Sequence, residues 1–118
     1  MGDNRLPDRG GAVIERRERV ASLVSHNVAA ILLEELGVEE LKWVNITGCI
    51  MRKDLKIAYI YYSVIKGNRE EIQKALEREK KRIKKYLAKR IVLKYMPDIV
   101  FKPDKSTDLD ELFREIKE

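Results

Sequence analysis

One cysteine, Cys49, and one histidine, His26, stand in a chain of 118 residues. A single thiol excludes an internal disulfide, and the pair leaves no Cys/His cluster to hold zinc. Long apolar runs are missing too. Nothing approaches the ~20 consecutive residues of a membrane span, and the opening MGDNRLPDRGG lacks the apolar segment of a signal peptide. The expected location is the cytoplasm, with no membrane partner. Catalytic patterns are equally scarce: there is no Walker-type glycine loop, no paired histidine and no carboxylate cluster suited to two metal ions. His26 has no Ser, Cys or acid at catalytic spacing, so it is read as structural or exposed. No enzyme activity, cofactor, metal or small-molecule substrate is expected.

Charge and apolar residues are what the chain has in quantity. With 44% hydrophobic and 38% charged residues, it reads as one heavily charged globular domain with enough Ile, Leu and Val to bury. The net charge of +5 hides an asymmetry. Residues 78–97, REKKRIKKYLAKRIVLKYMP, hold nine Lys and Arg against the single acid Glu79, leaving 16 basic and 19 acidic residues elsewhere. Positive charge gathered on one element is the footprint of a protein that binds phosphates and releases their counterions.

Periodicity orders the elements. Residues 1–13, polar and rich in Gly, read as a disordered tail. From Glu15 to Leu36, Val20, Leu23, Val24, Val28, Ile31, Leu32 and Leu36 recur every three or four residues, the stripe of an amphipathic helix that Gly37 is placed to stop. KWVNITGCIM, 42–51, alternates as a strand until Gly48, where the parity switches and predicts a bulge. LKIAYIYYSVI, 55–65, is a second strand, antiparallel to the first, with Ala58, Ile60, Tyr62 and Val64 on one face and Ile57, Tyr59, Tyr61 and Ser63 on the other. Asn68 is placed to cap a helix carrying Ile72, Ala75, Leu76, then Ile83, Tyr86, Leu87 and Ile91, with Glu70–Lys74 and Glu77–Lys81 at supportive spacing. Between Leu76 and Ile83 the stripe lapses at Glu79 for about a turn, which predicts a bend or a join between two helices; a continuous helix is the alternative. MPDIVFK gives a third strand with Pro97 at its entrance. The domain spans 14–106, and 107–118, with Leu109, Leu112, Phe113 and Ile116, forms a short helix or frays. The result is an α+β domain with a three-stranded sheet and its helices on one face.

RVASLVSHNVAAIL, WVNIT, DLKIAYIYYSVI and YMPDIVFKPDKS occur in the order and spacing of the ribosome-binding factor A family, which the chain closely resembles over about residues 17–106. The most specific matches are Asp54, Leu55, Ala58, Ser63, Val64, Pro97, Phe101, Asp104 and Ser106. The resemblance implies a type II KH-like fold of order α-β-β-α(kink)α-β with a mixed sheet. It also implies a cytoplasmic, non-enzymatic factor that binds the 30S ribosomal subunit and its 16S rRNA during maturation and rRNA processing, monomeric when free. Relatives interrupt the second and third helices with Ala-x-Gly; here that place holds Glu79, Lys80 and Lys81. Val38-Glu39-Glu40 replaces a usual Asp-Pro-Arg, and Lys53 a common Pro. The competing function is a general RNA-binding KH-like module without ribosome preference.

On a helical wheel Arg78, Lys81, Arg82, Lys84, Lys85 and Lys89 point away from the stripe, Lys80 lies at its border and Lys94 follows the helix. A solvated face is the usual fate of charge runs, yet such a face is normally mixed in sign, so rRNA phosphate contact is the favoured reading. Tyr59 and Tyr61 are further candidates, stacking on bases if their sheet face is open, or packing across strands against Trp43 and Asn45. Arg16, Arg17 and Arg19 either extend the basic surface or are simply solvated. Cys49 is read as a small core residue.

Overall fold

The computed structural model of the chain describes residues 11–104, with side chains from Arg16 onward. The expected terminal helix at 107–118 and residues 1–10 of the expected tail lie outside the described residues.

Helix α1 runs Gly11–Glu34, starting ahead of the boundary expected at 14. It buries Ala21, Val24, Val28, Ile31 and Leu32. Leu23, placed in the stripe from the sequence, is 42% exposed because the buried line follows 21, 24, 28, 31 and leaves its neighbour on the far side. The helix closes with Glu35 N–H and Leu36 N–H both donating to Ile31 O, at 2.9 and 3.3 Å. Gly37 then turns the chain at φ +70°, a left-handed conformation that suits glycine.

A 3-10 turn, Glu39–Trp43, buries Leu41 and delays strand β1 to Val44–Met51, later than its expected start at Lys42. β1 pairs antiparallel with β2, Ile57–Val64, and the register shifts between Ile46 and Gly48. That bulge lets Ile46 and Cys49 both lean on the core despite their opposite parity. Helices α2, Arg69–Arg78, and α3, Lys80–Arg90, follow, and β3, Asp98–Pro103, returns parallel to β2. The sheet order is β1-β2-β3. Ala58, Ile60, Tyr62, Ile99 and Phe101 are buried beneath helices that pack on one face. Tyr62 spans the layers: its hydroxyl donates to Gln73 Oε1 on α2, while Gln73 Nε2 donates to Phe101 O at 3.4 Å.

Asn68 caps α2 as expected, its Oδ1 accepting from Glu71 N–H at 3.0 Å. Asn68→Ala leaves that donor without its partner and is expected to lower stability by about 1 kcal/mol. In urea titration the midpoint should fall while the slope stays constant; an unmoved midpoint would count against the cap.

Candidate nucleic-acid interface

The expected join between helices is present and sits on one residue. α2 ends at Arg78, α3 begins at Lys80, and Glu79 between them has φ −92° and ψ 3°. That conformation has negative φ, in the bridge region open to ordinary residues. The break therefore needs neither the alanine nor the glycine that the family resemblance leads one to expect there. Hydrogen bonds continue across it, Glu79 N–H to Ala75 O and Ile83 N–H to Glu79 O, both 2.9 Å.

Glu79 is not a lapse in the buried stripe but part of it, only 8% exposed. Its carboxylate accepts from Arg82 Nη1 at 2.6 Å and Arg78 Nε at 3.3 Å. Arg82 Nη2 donates onward to Leu36 O at the end of α1, at 3.1 Å. The bond to Glu79, then that to Tyr86, raises the Arg82 pKa. One buried acid thus fastens the helix join to α1. The sequence carried a signal for this: a lone carboxylate at an inward position among cations is stable there only when paired.

α3 divides its cations by direction. Ile83 and Leu87 face the core. On the flank toward β3, Lys84 Nζ donates to Asp98 Oδ1 at 3.1 Å, and Lys80 pairs with Glu77 at 3.1 Å rather than Glu77 with Lys81. The Lys84 bond, then the backbone N–H of Ile99, holds the Asp98 carboxyl below its ordinary pKa. That contribution to stability is present above the ordinary carboxylate pKa and is lost as pH falls through the depressed one. On the flank toward α1, Arg90 reaches Glu34 and Glu35 at 3.5 and 2.9 Å, placing a cation against acids at a helix C-terminus. The outward crest is left to Lys81, Lys85 and Lys89, all exposed. Among the described residues no acid pairs with them; Lys89 Nζ lies 5.7 Å from the Tyr86 ring centre. The residues expected to act together are therefore split: Lys81, Lys85 and Lys89 point outward, whereas Arg78, Lys80, Arg82 and Lys84 are tied to acids.

Tyr59 and Tyr61 lie on the opposite side of the molecule, on the sheet face that no described helix covers. Their cross-strand partners are Ile50 and Gly48, not Trp43 and Asn45; Asn45 pairs with Ser63, and Trp43 O accepts from Ile65 N–H. The bulge moved the register by one residue, which sequence spacing alone did not reveal. Lys102, unforeseen from the sequence, is opposite Tyr61 and sets its Nζ 5.3 Å from the Tyr59 ring centre. Arg16, Arg17 and Arg19 occupy the start of α1, about 27 Å along the helix from the Glu34 end at 1.5 Å per residue. Arg16 lies across a groove from Lys94. Cys49 is half-buried, and burial pushes its thiol up to about 11, leaving little reactive thiolate near neutrality. Among the described residues no His/Cys/Asp/Glu group could hold a metal ion, and no helix is long and apolar enough to cross a membrane.

Comparison with known proteins gives a consistent picture. The family model for ribosome-binding factor A matches residues 16–116. The ribosome-binding factor A of Desulfatibacillum aliphaticivorans is 36% identical over 109 residues, spanning 87% of this chain and 89% of that protein. The crystal structure of ribosome-binding factor A from Thermus thermophilus superposes with a TM-score of 0.67 at 20% identity, covering 74% of this chain and 94% of that one. A homology model of the Thermus thermophilus factor, fitted into the cryo-EM map of a 30S complex, gives 0.65 at 18% identity and covers 76% and 97%. At those identities the structural likeness shows the fold.

Proposed function

Because the chain belongs to the ribosome-binding factor A family, we propose that it binds the 30S ribosomal subunit and its 16S rRNA during maturation and rRNA processing, by contact and not by catalysis. The observation that carries this reading is the outward crest of Lys81, Lys85 and Lys89, which no described acid neutralises. A row of unpaired ammonium groups on a rigid helix suits the rRNA backbone: it positions the protein without reading base identity. The acids holding Arg78, Arg82 and Lys84 fix the helix beneath that row, so the lysines meet phosphates from a set orientation. The relative fitted into a 30S complex supports the partner. The protein then acts in the cytoplasm, as a monomer when free.

The test is co-sedimentation with purified 30S, 50S and 70S particles. Selective association with 30S is expected. If about three phosphates are neutralised, log K should fall with log salt at a slope of about −2 to −3. Equal binding to all particles, or tight binding to short single-stranded RNA with no 30S preference, would favour the general RNA-binding module instead.

A further inference from the structure

At the end of the molecule away from the helix join, three separate segments meet around a groove of about 230 Å³. The start of α1 contributes Arg16 and Val20, the end of β1 and the following turn contribute Met51 and Leu55, and the link from α3 to β3 contributes Lys94 and Tyr95. The groove is apolar inside and cationic at its rim. Among its described lining residues there is no acid. Asp54, in the adjacent turn, is engaged by Arg52 at 2.8 Å and by Lys56 N–H at 2.9 Å.

Two features set this place apart from an ordinary surface crease. Leu55 has φ +62°, the one described residue other than glycine in the left-handed region. For a leucine that conformation costs about 1–2 kcal/mol, and the tight turn that joins β1 to β2 imposes it. The turn closed by Leu55 N–H donating to Arg52 O, at 2.9 Å, holds the side chain against the groove. Tyr95 is the second feature. The residue is 75% exposed, whereas Tyr59, Tyr61 and Tyr86 are half-buried and Tyr62 is buried. Lys94 Nζ lies 5.6 Å from its ring centre, and Val92 nearby is 97% exposed.

We propose that this groove is a site for one unpaired nucleotide of RNA, its base stacked on Tyr95 over the apolar floor and its phosphates held by Arg16 and Lys94. The volume is below the about 300–1,000 Å³ of sites for drug-sized ligands, which suits a single base. An exposed ring beside cations is the usual platform for a single-stranded base. The site rests on the 30S reading above and adds to it a contact with a looped or terminal nucleotide, distinct from the rRNA-backbone contact of α3.

The experiment uses the full chain and 30S subunits. Tyr95→Ala is expected to weaken binding on the order of tenfold, the loss of one base stack, and Tyr95→Phe to restore it. The salt slope should stay unchanged in both, whereas Arg16→Gln should make it shallower by about one phosphate. A benzophenone photo-crosslinker in place of Tyr95 should attach to RNA, shown by nuclease sensitivity. Undiminished binding by Tyr95→Ala, or crosslinks to a ribosomal protein or to residues 1–10 of the chain itself, overturns the nucleotide site while leaving the 30S reading intact. Failure of the unaltered chain to sediment with 30S overturns both.

Discussion

Changing Lys81, Lys85 and Lys89 together to glutamate is expected to weaken 30S association on the order of a thousandfold or more at moderate salt. Each ammonium within ~4 Å of a phosphate gains about 1 kcal/mol in water-like surroundings, and reversal converts that attraction into a similar repulsion. Three reversals approach about 6 kcal/mol before screening, which at physiological salt removes part of it. Folding should be little disturbed. The three lysines sit at i, i+4 spacing and already repel one another, so glutamates in the same places exchange one set of like-charge contacts for another. The remaining costs are an acid near the C-terminus of α3 and loss of the Lys89–Tyr86 contact, each a fraction of a kcal/mol. Lys84→Gln serves as the contrast, because Lys84 is committed to Asp98 and should change 30S binding only slightly. Co-sedimentation and thermal unfolding on the same samples decide the matter. Unchanged 30S binding by the triple variant would remove α3 from the interface.

The elements were legible where periodicity and local chemistry agreed. The stripe of α1 apart from Leu23, the Asn68 cap, the switch of parity at Gly48 and the inward line of β2 all follow from residues near one another in sequence, and each is found in place. The candidate site was legible only as a set of cations. Arg78, Lys80 and Arg82 are tied to acids one to three positions away, but other cations of the helix are paired from distant segments: Asp98 lies 14 positions from Lys84, and Glu34 and Glu35 lie 56 and 55 positions from Arg90. A wheel drawn on one helix contains none of these distant acids. The pairing of Tyr61 with Gly48 was hidden for a related reason, since a bulge changes register without changing composition. The groove at Tyr95 joins three segments, and from sequence Arg16 and Lys94 read as unrelated charges.

The helix join shows how two demands on one segment were reconciled. A continuous helix from Arg69 to Arg90 would carry its cations along a single outward track. The break at Glu79 separates α2 from α3, and its buried carboxylate pairs with the exposed guanidinium groups of Arg78 and Arg82. Positive charge on the flanks is thereby offset by a carboxylate, while among the described residues that on the crest is not. Where the family resemblance leads one to expect small residues, an acid stands at the join and organises the neighbouring arginines.

Ile83→Ala is expected to lower stability by about 2–5 kcal/mol, as truncation of a fully buried isoleucine does. Its effect should be near the upper part of that range because α3 has little else to hold it. Seven of its 11 residues are basic, so an isolated segment of this length and charge would not be helical in water. Burial of Ile83 and Leu87, together with the acids reaching from α1 and β3, keeps the helix formed against its own repulsion. At about 4–8 °C per kcal/mol for a domain of this size, the unfolding midpoint should drop by at least about 10 °C, measured by circular dichroism. Binding should separate from stability: well below the new midpoint the variant still presents Lys81, Lys85 and Lys89 and should bind 30S with close to unaltered affinity, and saturating 30S should recover part of the lost midpoint by mass action. A variant that stays folded at low temperature yet no longer binds would show that the packing of Ile83 aims the lysine crest as well as holding the helix.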